Sequence, residues 1–160
     1  MLLASSDGAV TNPGEPSVGV IRTLPDDEIE VLLHTALVGR IACCAHGLAH
    51  DHNDDRPFLV PLAYGYDGAA VYAHSGPGRK ITLMRAQPLV IFEVDQADAP
   101  DQWRSVIAEG AYEEIVDPDE RQRALAIIYP PPRPIPPLDP ATIVYRLRLT
   151  AKSGRYELPE

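Results

Sequence analysis

The chain has 160 residues, 45% of them hydrophobic and 23% charged, which is ordinary for a single water-soluble globular domain. Its formal net charge of −9 disfavours general binding to nucleic acids or membrane surfaces, because both are polyanionic. No apolar run approaches the roughly 20 residues that a membrane-spanning helix needs, so we expect no membrane partner.

The first twenty residues are rich in glycine, proline, serine and asparagine and contain few large apolar side chains. Such a segment cannot offset its ordering entropy by burial, so we predict a disordered or extended tail over 1–20 and one folded domain over 21–160. The N-terminus has neither a basic leader nor a long apolar core. This predicts that the chain carries no signal peptide and is cytoplasmic.

The first predicted helix begins at Pro25 and ends at Gly39. Proline followed by three acidic residues suits the first turn of a helix, where negative charge meets the positive end of the dipole. From Ile29 onward, apolar residues recur at i, i+3, i+4 and i+7, which is the pattern of an amphipathic helix. A glycine after the last periodic residue is a typical C-terminal stop.

Six segments have the composition of β-strands, with turn residues between them, and two more segments suit short helices. The turns include an Asp-Gly pair at 67–68, a strong hairpin signal, and Gly110 marks a bulge. The 89–95 segment is apolar for much of its length and is predicted to be buried, and the alternating last segment suits a sheet edge. The predicted strands are 40–45, 57–66, 69–75, 89–95, 103–116 and 143–149, and the helices are 79–86 and 117–128. Hairpin-length connections predict an antiparallel barrel or sandwich with peripheral helices.

Three further features have a functional and a structural interpretation. The adjacent Cys43 and Cys44 are interpreted as free thiols on opposite faces of a strand, since neighbouring cysteines close no stabilising loop. The His- and Asp-rich segment 46–56 has metal-binding side chains, but their spacing matches no motif, so we predict a polar loop and no metal site. The proline-rich stretch 130–140 is interpreted as a stiff surface connector, with docking to a proline-recognising domain as the alternative.

The turn at 75–80 (SGPGRK) has the chemistry of an anion site. A glycine-flanked helix start presents free backbone N–H groups and the positive end of the helix dipole. Ser75, Arg79 and Lys80 add a hydroxyl donor and two cations, which suits a phosphate monoester. The same turn also fits a solvated loop whose charges point to water. Its spacing matches neither a Walker loop nor a GxGxxG fingerprint.

The order of these segments resembles the pyridoxamine 5′-phosphate oxidase-like superfamily of FMN-binding split barrels, and within it the nitroimidazole-resistance-type branch. The similarity extends from about residue 26 to 149. It rests on 38–42 (VGRIA), 61–68 (PLAYGYDG), 71–75 (VYAHS), 78–80 (GRK), 83–88 (LMRAQP), 90–94 (VIFEV) and 103–106 (WRSV). The long 46–56 loop, the Gln87-Pro88 pair and the proline-rich stretch depart from the family pattern.

The resemblance implies a six-stranded antiparallel Greek-key split β-barrel that forms a homodimer with FMN in each of two interface clefts. It implies that Ser75, Arg79 and Lys80 hold the flavin phosphate and that His74 faces the reaction site as the candidate catalytic residue. The strand formed by Pro61, Leu62, Ala63 and Tyr64 would run beside the isoalloxazine ring. Near the cleft, contributed by the same chain or by the partner subunit, would lie Trp103, Arg104 and Ser105.

The function that this resemblance implies is an FMN-dependent oxidoreductase acting on a small conjugated acceptor, with nitro-group reduction as the reaction of the most similar branch. A flavin carrier without turnover is the alternative from another class. The same fold with haem, the deazaflavin F420 or FAD is a third possibility, because split barrels reuse one cleft for many ligands.

Overall fold

A computed structural model describes residues 19–44 and 56–158, and these ranges contain eight strands and three helices. None of these helices has the length and apolar character needed to cross a membrane. The elements in chain order are β1 (Val20–Thr23), α1 (Asp26–Thr35), β2 (Val38–Cys43), β3 (Phe58–Ala63), β4 (Gly65–Tyr66), β5 (Ala70–Ser75), α2 (Arg79–Ala86), β6 (Leu89–Ala99), β7 (Gln102–Glu114), α3 (Pro118–Ile128) and β8 (Ile143–Leu158).

All eight strands belong to one antiparallel sheet with the order β3-β2-β6-β7-β8-β5-β4, and β1 pairs with the far end of β8. Strands β3 and β4 lie at opposite ends of this order, yet Tyr64 alone separates them in the chain. The sheet must therefore curl until its two ends meet at this residue. The result is the predicted mainly-β split barrel with peripheral helices.

The inner face of the curled sheet forms the main core. Phe92, Val106 and Tyr145 are fully buried there, on β6, β7 and β8. Helix α1 contributes Ile29 and Leu33 to the same core. Burying a large apolar side chain contributes about 1.5–3 kcal/mol, so this cluster dominates the stability of the barrel.

The strand count is eight rather than six for two reasons. Residues Val20–Thr23 form an additional strand by pairing with the end of β8, which continues to Leu158. The predicted strand 57–66 is interrupted at Tyr64, which divides it into β3 and β4.

The prediction that Gly39 ends the first helix is wrong. Helix α1 ends at Thr35, and Gly39 lies in β2 against the ring of Phe92. A side chain there would collide with that ring, because a Cβ added to Gly39 would lie 2.3 Å from the Phe92 Cζ atom. The glycine is thus required by close packing of the strand and not by a helix stop.

The last strand was predicted to tolerate an edge, and that interpretation is wrong. Strand β8 is central, because it pairs with β7 on one side and with β5 and β1 on the other. Its alternating arginines are accommodated on the solvent side by Glu113 of β7, which binds both Arg146 and Arg148. The two guanidinium groups hold the pKa of the Glu113 carboxyl down at about 2. The predicted irregularity at Gly110 is confirmed as a register shift between β7 and β8.

A second, smaller core joins α3 to the proline-rich stretch. Its buried members include Leu125 and Ile128 of α3 and Val144 of β8. Ile135 and Leu138 of the proline-rich stretch pack against them. This stretch is therefore anchored to the barrel by its apolar residues and is more than a surface connector.

Gly65 allows the end of α3 to approach β4 very closely. A Cβ at this position would lie 2.3 Å from the Ile127 carbonyl oxygen and 2.8 Å from the Ile128 nitrogen. Because these are backbone atoms, the helix end would have to move. We expect Gly65→Ala to lower the free energy of unfolding by about 2–3 kcal/mol in a urea titration. Gly76→Ala is the matched control, since its Cβ would meet no atom of the described residues within 4 Å; equal stability of the two variants would contradict the close packing.

Two predictions concern residues outside the described ranges. The first concerns the tail, of which the structure describes Gly19 and Val20 alone. The second concerns the His- and Asp-rich loop, of which it describes Arg56 alone. The structure therefore tests neither the predicted tail nor the absence of a metal site in that loop.

Candidate functional site

A cleft of about 1010 Å³ opens beside the junction of β3 and β4. The end of α1, strands β3 to β5, helix α2 and the segment after α3 all contribute to its walls. Its volume lies at the upper end of the roughly 300–1,000 Å³ that is usual for small-molecule and cofactor sites. Predicted site residues that line it are Pro61, Leu62, Ala63, Tyr64, His74 and Lys80.

One wall of the cleft is the edge strand β3 and the residue that follows it. Within the described residues β3 pairs with β2 and with no other strand, so part of its backbone polar groups point away from the sheet. Tyr64 is buried, and its hydroxyl donates to the Leu33 carbonyl oxygen over 2.7 Å. Its ring stands edge-on to Phe92, with the centroids 4.9 Å apart. Tyr64 therefore fixes the wall, and the β3 backbone supplies its hydrogen-bonding capacity.

The floor beside this wall is held by a polar network between α1 and β8. Tyr66 donates to a carboxylate oxygen of Glu30 over 2.8 Å and accepts a hydrogen bond from Lys152 over 3.0 Å. The Lys152 ammonium also binds Glu30 directly. His34 packs against the Tyr66 ring at 4.8 Å between centroids. The cleft is thus rigid on this side.

Lys80 is the cation that α2 places in the cleft. Its side chain is half-buried, and burial lowers the pKa of its ammonium below the ordinary value. Among the described residues it has no hydrogen bond and no ion pair; its ammonium lies 5.8 Å from the centre of the Tyr145 ring. The Tyr145 hydroxyl is itself buried without a hydrogen-bond partner in the part of the chain that the structure describes. A partly desolvated ammonium of this kind favours an anionic ligand, because an anion would restore the stabilisation lost with water.

The two other residues of the predicted phosphate site, Ser75 and Arg79, precede Lys80 in the turn and do not line the cleft. Arg79 is exposed and places its guanidinium over the Phe58 ring, 5.2 Å from the centroid. The Ser75 hydroxyl donates to the Gly76 carbonyl oxygen over 3.0 Å. Added Cβ atoms at Gly76 and Gly78 would meet nothing within 4 Å among the residues that the structure describes, so the turn is open with respect to them. A ligand could therefore approach the turn backbone closely.

His74 projects from β5 into the same cleft and contacts a residue that sequence reasoning missed. Its Nε2 atom lies 2.6 Å from the hydroxyl oxygen of Tyr129, the first residue after α3. Burial and the nearby Lys80 charge lower the pKa of His74 below its ordinary value. The imidazole is therefore mainly neutral at pH 7 and able to hold or pass a proton at a defined place.

The 103–105 segment lies elsewhere in the chain's own fold. The Trp103 indole N–H donates to Glu157 over 2.7 Å, and Arg104 faces Glu28 of α1 at 4.0 Å. Ser105 pairs with Asp95 across the β6–β7 ladder. One chain alone does not bring these residues to the cleft, so a role for them near the cofactor remains a prediction that requires a second subunit.

The outer face of β2, β3, β6 and β7 carries exposed apolar side chains around a charged centre. Residues opposite one another in the ladders share this face, and the alternate residues point into the core. Its centre carries the Arg40–Glu93 ion pair at 2.9 Å. The exposed large apolar side chains around that pair are Val38, Leu59, Leu89, Ile91 and Ile107. The prediction that the 89–95 segment is buried is thus wrong for Leu89 and Ile91, which are 66% and 40% exposed.

A family model described as pyridoxamine 5′-phosphate oxidase matches residues 25–156 of the chain. An uncharacterized protein of Rhizobium meliloti (strain 1021) is 32% identical over 95 residues, which is 59% of this chain. The match spans 58% of the length of that relative.

Solved structures share the fold over most of the chain. An FAD-binding protein from Mesorhizobium loti is 32% identical with a TM-score of 0.69, covering 87% of this chain and 99% of that one. A candidate 5-nitroimidazole antibiotic resistance protein from Bacteroides thetaiotaomicron is 21% identical with a TM-score of 0.71, covering 86% and 88%. The FAD binding protein from Mycobacterium smegmatis is 23% identical with a TM-score of 0.65, covering 86% and 99%. The last two likenesses show the fold alone.

Proposed function

Since the chain belongs to the pyridoxamine 5′-phosphate oxidase family of split barrels, we propose that its cleft binds FMN and that the protein is an FMN-dependent oxidoreductase. The observation that carries the proposal is the meeting of two distant segments in one cleft. The predicted ring-binding strand, Pro61–Tyr64, and the predicted phosphate cation, Lys80, line the same cavity. Because the chain belongs to this family, we interpret the cavity as a flavin site.

The residues present suit a flavin mononucleotide. One edge of β3 pairs with no other strand among the described residues and can hydrogen-bond the polar edge of a planar ring. The apolar side chains of Leu37 and Val38 offer the ring a contact surface. Lys80 and the open turn after Ser75 suit a terminal phosphate. Some relatives are named for FAD, so the flavin released from purified protein by heat should be identified by chromatography. We expect the released flavin to be FMN. Release of FAD would show that the cofactor is FAD instead.

We further propose that two chains pair through the apolar outer face of β2, β3, β6 and β7. A cluster of exposed apolar side chains on one face typically marks a protein interface, and the Arg40 and Glu93 charges at its centre are already paired within the chain. Val38, Pro61 and Ala63 belong both to this face and to the cleft lining, so a second chain docked there would complete the cleft. Trp103 and Ser105 also lie on this face. Their position supports the proposal that each subunit contributes them to the cleft of its partner. Arg104 points to the opposite side, toward α1.

When bound, the flavin supplies the hydride or electron transfer, and the protein supplies placement and electrostatics. His74 is the chain's candidate for holding a proton beside the reacting atoms, because it lines the cleft and is neutral at pH 7. We expect His74→Ala to lower kcat about 100-fold and to change FMN affinity less than about threefold. His34→Ala is the matched control within the same cleft, and an equal loss of kcat in both variants would contradict the role of His74.

Turnover separates an enzyme from a flavin carrier. Purified FMN-loaded protein is mixed anaerobically with NADPH or NADH and a nitroaromatic acceptor, and loss of the nicotinamide absorbance is followed. Continued consumption that depends on the acceptor supports an oxidoreductase. Stable FMN binding without consumption with either donor would instead indicate a carrier.

A further inference from the structure

We propose that Tyr129 is a positioning residue for His74: its hydroxyl donates to the Nε2 atom and holds the neutral imidazole as the Nδ1–H tautomer. The ring then offers a hydrogen-bond donor to the second ligand of the cleft, which should carry an acceptor such as a nitro or carbonyl oxygen. The part of this inference that concerns the reaction rests on the proposed function, whereas the tautomer is a property of the chain alone.

The two side chains meet at the wall of the cleft. Both line the cavity, and the His74 Nε2 atom lies 2.6 Å from the Tyr129 hydroxyl oxygen. The ring centroids are 5.7 Å apart and the ring planes are tilted by 33°. The short distance between nitrogen and oxygen indicates a strong hydrogen bond. Within the described part of the chain it is the one hydrogen bond of the imidazole, so the Nδ1 atom has no partner there.

Both partners of this hydrogen bond are held by other contacts. The Tyr129 backbone N–H donates to the Leu125 carbonyl oxygen over 2.8 Å at the end of α3, and the tyrosine ring packs against the small core. His74 lies within β5, where it pairs with Val144 of β8. Because the two residues are in place before a ligand binds, the hydrogen bond costs little ordering entropy when the ligand arrives.

The chemistry of the two groups determines which one donates. A neutral imidazole has one N–H donor and one bare nitrogen acceptor, and a phenol hydroxyl can donate or accept. The phenol is the more acidic donor and the bare imidazole nitrogen is the more basic acceptor, so the O–H···N arrangement is the stronger pairing. Burial and the nearby Lys80 charge lower the pKa of His74 and keep the ring neutral. Lys80 makes no hydrogen bond to the imidazole among the described residues, so it does not compete for a ring nitrogen.

The hydrogen bond from Tyr129 reverses the intrinsic preference of the ring. An unconstrained histidine in water favours the Nε2–H tautomer, and a partner that donates to Nε2 moves the hydrogen to Nδ1. The Nδ1–H group can then donate to an oxygen on which negative charge develops while the acceptor is reduced. Tyr129 contributes by fixing the tautomer and the orientation of His74, and needs no contact with the reacting atoms.

The tautomer can be measured directly and does not depend on a bound flavin. Long-range proton–nitrogen NMR spectra of the full chain with isotope-labelled histidine distinguish a protonated ring nitrogen from a bare one, and His74→Ala assigns the signals. We expect the wild type to be mainly the Nδ1–H form at about pH 8, and Tyr129→Phe to shift the tautomer ratio about tenfold toward Nε2–H. An Nε2–H wild type, or an unchanged ratio in Tyr129→Phe, would overturn the proposal.

Tyr72→Phe is the matched control. It also removes a hydroxyl from a ring that packs against the small core, but Tyr72 donates to Asp67 over 2.8 Å and makes no hydrogen bond to His74. It should leave the His74 tautomer unchanged. An equal shift in this variant would show that the small core, and not the Tyr129 hydroxyl, sets the tautomer, and would overturn the proposal.

Turnover tests the consequence for the reaction. In FMN-loaded protein with a nitroaromatic acceptor, Tyr129→Phe should lower kcat about tenfold and change FMN affinity less than about threefold. A normal kcat in Tyr129→Phe beside a reduced kcat in His74→Ala would overturn the positioning role. Protein that binds no flavin but shows the Tyr129-dependent tautomer would refute the proposed function and leave the assignment of the tautomer standing.

Discussion

Replacing Lys80 with alanine is expected to weaken FMN binding about 10- to 100-fold and to change riboflavin binding less than about threefold. A hydrogen bond to a charged group contributes about 1.5–3 kcal/mol, and riboflavin lacks the phosphate that Lys80 would contact. The ammonium is half-buried and has no ion pair within the described residues, so the variant leaves no unpaired carboxylate behind. Fluorescence titration with each flavin measures both affinities. Because Arg79 lies over the Phe58 ring and outside the cleft lining, adding Arg79→Ala should increase the loss for FMN less than Lys80→Ala does alone.

The matched control for Lys80 is Arg85→Ala on the same helix. Arg85 carries the same charge, but it is exposed and binds Glu114 away from the cleft. An equal loss of FMN in the two variants would show that net charge, and not the site, is responsible. An equal loss of FMN and riboflavin in Lys80→Ala would show that the phosphate lies elsewhere.

The pH dependence of binding follows from the lowered pKa of Lys80. Phosphate binding requires the protonated ammonium, so FMN affinity falls as pH rises through the pKa of the free protein. Because burial lowers that pKa, the fall should begin below the ordinary lysine value of 10.5. The ratio of FMN to riboflavin affinity measured between pH 7 and 10 reports this change, and in Lys80→Ala the ratio should stay flat.

Leu59→Asp is expected to convert a dimer of twice the 17.5 kDa chain mass into monomers and to release most of the bound flavin. Leu59 is 64% exposed on the outer face, so the change is tolerated in a single chain. In a symmetric pair each interface would bury two such carboxylates, each at a cost of about 2–5 kcal/mol. Sedimentation velocity measures the mass, and absorbance of the same sample measures the flavin.

Val116→Asp provides the control for the interface. Val116 is also a large exposed apolar residue, at 80%, but it lies in the connection before α3 and not on the outer face. It should leave both mass and flavin content unchanged. A monomeric wild type that retains flavin would refute the paired arrangement while leaving the cleft itself intact.

The sequence predicted those helices whose ends are marked by capping or helix-breaking residues nearby in the chain. Helix α2 lies between Gly78 and Pro88, as the sequence indicates, and α3 begins at Pro118 behind the Asp117 cap. Strand β1 was missed because its pairing with the end of β8 joins residues more than 130 positions apart. The exposed side of β6 was missed because an apolar strand does not reveal whether its second face is covered by the same chain or by a partner.

The candidate site was predictable in the part that the family motifs cover. The 61–64 segment, His74 and Lys80 do meet in one cleft. Tyr129 gave no signal, since it lies 55 residues from His74 and its contact depends on where α3 packs. The proline-rich stretch gave no sign that it lines the cleft, because its anchoring by Ile135 is a tertiary effect.

The absorbance spectrum of the protein as purified shows whether the cleft holds a flavin. We expect a yellow protein with bands near ~375 and ~450 nm and, after reconstitution with FMN, one flavin per chain. A colourless preparation that takes up no added flavin, or one whose absorbance is a haem Soret band, would contradict it.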